Sequence, residues 1–136
     1  MTPPQQQKYL DWFITSFTYN SNSIEGSTLT LQETGLVLFD RITPPGKPIK
    51  DVKEAENHKK AFEYILKYKG LITKAFAIKI HKVLFKDTLE HAGTFRKVQV
   101  YIRGSEFLPT KPELVEKEFN ELVKWIKKAE KKYHPI

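Results

Sequence analysis

Apolar residues recur at three- and four-residue spacing along most of this sequence, and glycine or proline separates one such run from the next. That pattern selects helices, because residues three and four apart share a helical face while residues along a strand alternate. Leu10, Phe13, Ile14 and Phe17 make a stripe that predicts a first helix over about Gln6–Ile24. Gly26 stands just past its end, where glycine takes the left-handed conformation cheaply. Thr30-Leu31-Gln32-Glu33 reads as a capping box that opens a short helix to about Phe39, and the Thr43–Pro48 stretch breaks it. Asp51 as N-cap, with Glu54 at N3, predicts a helix over Val52–Tyr68 with Ala55, Phe62, Ile65 and Leu66 inward.

A further helix is expected over Lys74–Phe85 on the stripe Phe76, Ile80, Val83 and Leu84. The period then changes. Val98, Val100 and Ile102 alternate with Gln99 and Tyr101, and Arg103-Gly104-Ser105 can turn the chain, which predicts a β-hairpin. Thr110-Lys111-Pro112-Glu113 is a second capping box, opening a helix to about Lys132 with Leu114, Val115, Phe119, Leu122, Val123 and Ile126 on its apolar face. The expected fold class is mainly α with one hairpin.

A chain of 136 residues fits one domain with a real core, and 40% hydrophobic and 12% aromatic residues are globular values. No cysteine is present, which excludes a disulfide framework and thiolate zinc. No apolar run reaches membrane-spanning length, and the start has no signal-peptide core, so a cytoplasmic protein without a membrane partner is expected. The net charge of +7 invites a nucleic-acid partner, but the lysines are interleaved with glutamates at helical spacing, the pattern of a solvated face. His58, His81, His91 and His134 lack metalloprotease spacing, so no metal ligands are assigned. No glycine-rich phosphate loop or nucleophile elbow occurs, Glu54 and Glu56 point to different faces, and no catalytic residue is assigned in this chain.

Four stretches, in order, resemble the Fic family of AMP-transferring proteins. Ser21-Asn22-Ser23-Ile24-Glu25-Gly26 is similar to the family's inhibitory motif, Ser or Thr, three residues, Glu, then Gly or Asn. Glu54–Ile65 resembles the helix that follows it; Ile80–Ile102 resembles a helix, an Ala-Gly-x-x-Arg turn (Ala92, Gly93, Arg96) and a flap; Phe107–Ile126 resembles the flap exit and its next helix. The resemblance implies an incomplete Fic-like helical fold over 1–136, with an inhibitory helix region at 1–27, a helical core at 28–97, a flap hairpin at 98–108 and a helix at 109–136. One departure matters most. The family's His-Pro-Phe-x-Asp/Glu-Gly-Asn-Gly-Arg-x-x-Arg loop is absent, and His134-Pro135-Ile136 does not supply it, which suggests a split gene or a cut chain.

The resemblance further implies the roles. Ser21, Glu25 and Gly26 would be regulatory, the Glu25 carboxylate pairing with an arginine of the missing loop that otherwise binds the ATP γ-phosphate. Val100, Ile102 and Gly104 of the flap would dock a target segment as an added strand. Arg96 is expected to tie the Ala92-Gly93 turn to the core. The full protein would use ATP and magnesium to modify Ser, Thr or Tyr hydroxyls of a protein substrate; this chain alone is expected to be inactive and to bind neither tightly. A catalytic Fic half, in cis or in trans, is the expected partner, with a homo-oligomer also in view. The alternatives are an antitoxin-like inhibitor of a separate Fic core and, further off, a basic nucleic-acid-binding module.

Overall fold

The computed structural model describes residues 1–132, so the His134-Pro135-Ile136 end lies outside the described residues. The chain is helical: α1 (Pro3–Ile24), α2 (Leu31–Gly35) running into a π-helical turn (Leu36–Asp40), α3 (Ile49–Lys67), α4 (Lys74–Leu84) and α5 (Pro112–Lys132). It divides into two compact units, Met1–Tyr68 with Val83–Glu90, and Lys69–Lys82 with the residues from His91 on.

The first unit is built around α1 and α3. α1 starts earlier than its apolar stripe suggests, with proline in its first turn and the Thr2 N–H donating to Gln5 Oε1 at 2.8 Å. Its fully buried side chains are Ile14 and Thr18; Phe13 and Phe17 flank that line and keep part of their rings exposed. Those rings stack at 5.8 Å and meet Phe62 of α3 at 5.7 and 5.8 Å. Ile14, Leu29, Val37, Leu38, Val52 and Ala55 close the core, with Leu10 and Phe62 packed against it.

α3 also begins before the predicted position. Pro48 occupies the cap, and Asp51 lies inside the first turn rather than capping it. Its buried carboxylate accepts from the Thr28 N–H and hydroxyl, both at 2.7 Å, so the helix start is tied to the segment after α1. Ala55 and Phe62 face inward as expected, but Ile65 (43% exposed) and Leu66 (49%) do not reach the core. Asn57 is buried on α3 and donates to the Lys86 carbonyl at 2.8 Å. The capping box forms as read: the Glu33 N–H donates to Thr30 Oγ1 (3.1 Å) and the Thr30 N–H to Glu33 Oε2 (2.8 Å). The π-helical turn ends on Arg41 in the left-handed region, φ 55°.

In the second unit α5 starts at Pro112, and the expected Thr110–Glu113 box is not made; the Thr110 hydroxyl donates to Glu118 at 2.7 Å instead. Phe95 and Phe119 meet at 5.5 Å. The expected hairpin is corrected here. Among the described residues no strand occurs, and of the Val98–Leu108 segment only the turn is present, with the Ser105 N–H donating to the Ile102 carbonyl at 3.1 Å and Gly104 at φ 76°. The alternation is real, but its apolar side chains lie in the open, Val98 68% and Ile102 53% exposed. A two-stranded ladder with no face to bury is marginal in water.

Candidate functional site

The first candidate site is the C-terminal end of α1. Glu25 caps the helix, and Gly26 follows at φ 90°. The Ser27 N–H donates to the Asn22 carbonyl (3.0 Å) and the Gly26 N–H to the Ser23 carbonyl (3.1 Å), the paired six-to-one and five-to-two bonds of a Schellman end. Nothing lies within 4 Å of where a Gly26 Cβ would stand, so glycine is there for its backbone and not for lack of room. The Glu25 side chain is exposed and makes no hydrogen bond or ion pair among the described residues.

Two interactions fix this end in space. Upstream, Thr18 Oγ1 lies 2.9 Å from His58 Nδ1, and Phe17 packs on the same imidazole at 5.1 Å. Burial holds the His58 pKa below its ordinary value, which favours the neutral ring, and the Thr18 hydroxyl serves either tautomer of it at Nδ1. Downstream, Asp51 holds Thr28, and Lys47 Nζ reaches the Thr28 carbonyl at 2.6 Å. The carboxylate of Glu25 is thus carried by a turn anchored on both sides. Ser21 is half-buried on the same last turns but makes no hydrogen bond to Glu25, and it is Ser23 that bonds back to the Tyr19 carbonyl, at 2.7 Å. The Asn22 amide nitrogen is buried with no acceptor among the described residues.

The second candidate site is the segment from Val98 to Leu108. Val100 is partly exposed, Ile102 more so, and Gly104 makes the turn. Arg96 does not tie the Ala92-Gly93 turn. Gly93 is held instead by its N–H to His81 Nδ1 (2.7 Å), and a Cβ there would stand 2.7 Å from the Lys82 Cβ. The Arg96 guanidinium donates to the Val98 carbonyl at 2.9 Å and to the Thr110 carbonyl. Gln99 Nε2 donates to the Pro109 carbonyl at 3.0 Å. Sequence reasoning missed both partners, because a polar residue beside an alternating run gives no sign of which carbonyl it will reach.

Among the described residues no cluster of three or more His, Asp or Glu is placed to hold a metal, and no helix is long and apolar enough to cross a membrane.

No protein-family model matches the sequence. The protein adenylyltransferase Fic of Nematostella vectensis is 32% identical over 126 residues, 87% of this chain and 29% of that protein. The protein adenylyltransferase fic-1 of Caenorhabditis briggsae is 28% identical over 122 residues, 81% of this chain and 22% of that protein. The chain thus spans less than a third of either relative. The crystal structure of a Fic domain containing signaling protein from Bacteroides thetaiotaomicron superposes with a TM-score of 0.89 at 25% identity, covering 97% of this chain and 52% of that one. Relatives and fold agree along nearly the whole sequence, and the chain belongs to the Fic family.

Proposed function

We propose that this chain is the regulatory and target-docking part of a Fic-type adenylyltransferase, which moves AMP from ATP to a Ser, Thr or Tyr hydroxyl of a protein substrate in the cytoplasm. The observation that carries the reading is the end of α1. A free carboxylate, Glu25, is exposed on a Schellman turn anchored by Thr18–His58 and Asp51–Thr28, in a chain of this family. A carboxylate so presented suits one guanidinium, because planar bidentate pairing of the two is geometrically matched and charge-assisted. By the family resemblance that guanidinium lies on the catalytic loop, which this sequence does not contain. The same negative charge disfavours a triphosphate nearby. ATP and magnesium belong, in this reading, to the catalytic half, in cis or in trans.

The test is a two-component assay in which the purified chain, wild type or Glu25→Gly, is added to a separately expressed catalytic half and transfer of labelled AMP is followed. Losing a charge-assisted bond of about 1.5–3 kcal/mol implies at least about a tenfold gain in transfer for Glu25→Gly. Equal transfer from two folded chains makes Glu25 a surface charge and ends the regulatory reading. Suppression by the wild-type chain of a catalytic half that is active by itself selects the antitoxin-like partner over a split enzyme.

A further inference from the structure

We propose that Arg96, seconded by Gln99, is the positioning residue of the docking segment. It closes the Val98–Thr110 loop with side chains that take up main-chain carbonyls, where a hairpin would use its own ladder, and so leaves main-chain N–H groups of the loop free for an extended polypeptide. The inference rests on the docking role given to this segment above and adds the device that makes docking possible.

An internal ladder would use the N–H groups of the alternating run. In this chain the N–H groups of Val100, Tyr101 and Ile102 have no protein partner among the described residues. The loop is nevertheless not loose at its ends. One guanidinium reaches Val98 on the way in and Thr110 on the way out, and Gln99 Nε2 reaches the carbonyls of both Val100 and Pro109. The Ile102–Ser105 turn and the Phe107 N–H bonded to Ser105 Oγ at 3.1 Å shape the tip. Arginine is suited to this because its donors diverge from a rigid plane and can serve two carbonyls at once, whereas an ammonium is a point. The outcome is a segment with a fixed base and unspent donors, of which an added strand takes alternate ones, those of Val100 and Ile102, beside the exposed side chains of the same residues. An extended peptide satisfies such donors by strand addition, and fixing the base beforehand lowers the ordering cost that binding would otherwise carry.

The chain has no cysteine, so a nitroxide pair can be placed cleanly at Arg103→Cys, near the loop tip, and Lys117→Cys on α5. A narrow distance distribution is expected with Arg96 present, and one at least about twice as wide in Arg96→Ala, with helical content unchanged. Arg96→Lys should not restore the narrow distribution, and Gln99→Ala should broaden it less; because Gln99→Ala leaves Arg96 in place, it keeps the test open if Arg96→Ala misfolds. In the two-component assay Arg96→Lys should raise the KM for the protein acceptor about tenfold, with kcat and the KM for ATP unchanged. An unchanged width in Arg96→Lys and Gln99→Ala overturns the clamp. A broadened loop with an unchanged acceptor KM overturns its positioning role. A wild-type chain that supports no transfer, yet broadens on Arg96→Ala, removes the docking reading and leaves the clamp standing.

Discussion

In the first unit Ile14, Leu29, Val37, Leu38, Val52 and Ala55 close into one buried cluster, whereas no residue of the second unit whose burial is described is buried to that degree. The second unit is tied by polar contacts instead: Gly93 to His81, Arg96 and Gln99 to loop carbonyls, Thr110 to Glu118, Lys74 to Glu116 at 2.6 Å. The division matches what the proposed function asks of each region. On that proposal Glu25 has to meet one guanidinium, and a turn fixed by packing, which is where it sits, serves this. An edge that must accept varied extended segments is better drawn from the less tightly packed end of the molecule.

The sharpest way to break this comparison is to cut one apolar side chain in each unit. Ile14→Ala removes a side chain that is 3% exposed from the centre of α1, and a loss of about 2–5 kcal/mol is expected in urea denaturation. Leu122→Ala on α5 starts from a side chain already 49% exposed, so about 1 kcal/mol or less should be lost. Equal losses would mean that the second unit has a core of the same quality as the first.

Glycine separates the two regions as well. At Gly93 (φ 80°) an alanine meets both a left-handed penalty of about 1–2 kcal/mol and a Cβ contact at 2.7 Å with Lys82, with an overpacking cost of about 1–3 kcal/mol. At Gly26 (φ 90°) an alanine meets the first cost alone, since no atom is near. Gly93→Ala should therefore lower Tm about twice as far as Gly26→Ala, and the reverse order would show that the polar contacts of the second unit give way easily.

What the sequence made legible follows from how local the chemistry was. The Thr30–Glu33 box and the glycine end of α1 are settled within six residues, and both form as read. The start of α3 was misplaced because Asp51 looks like a cap, while its carboxylate is taken by Thr28, 23 residues away. The Thr110 box failed for the same kind of reason, Glu118 winning the hydroxyl. Ile65 and Leu66 fit the helical period but lie off the line that meets α1. In the Val98–Leu108 segment the alternation promised a ladder, yet pairing depends on a buried face that no local pattern reveals. For the candidate sites, the conformation of Gly26 was readable, while the Thr18–His58 anchor and the Arg96 clamp join residues whose spacing carries no signal.

The smallest effect expected is on pH, and it bears on the anchor of α1 alone. Burial lowers the His58 pKa in the folded chain, whereas the unfolded imidazole titrates near its ordinary 6.5. As pH falls through that value the unfolded state takes up its proton first, so stability drops until the folded ring also titrates, and it rises with pH across the same window. The ring is half-buried, which keeps the slope modest. A second group can be kept apart from it. Glu33 has its pKa lowered from 4.5 by the Thr30 backbone bond and by Lys47, so its contribution is lost only at more acid pH, as the carboxylate protonates. Thermal melts at pH 7.5 and about 5.5 should therefore report His58, with a lower Tm at the acid end. His58→Gln keeps an acceptor for Thr18 but has no proton to gain, so its Tm should change less between the two buffers. If the slope is the same in His58→Gln, the packing of α1 on α3 does not sense the imidazole, and the rigidity of the Glu25 turn must come from the Asp51–Thr28 side.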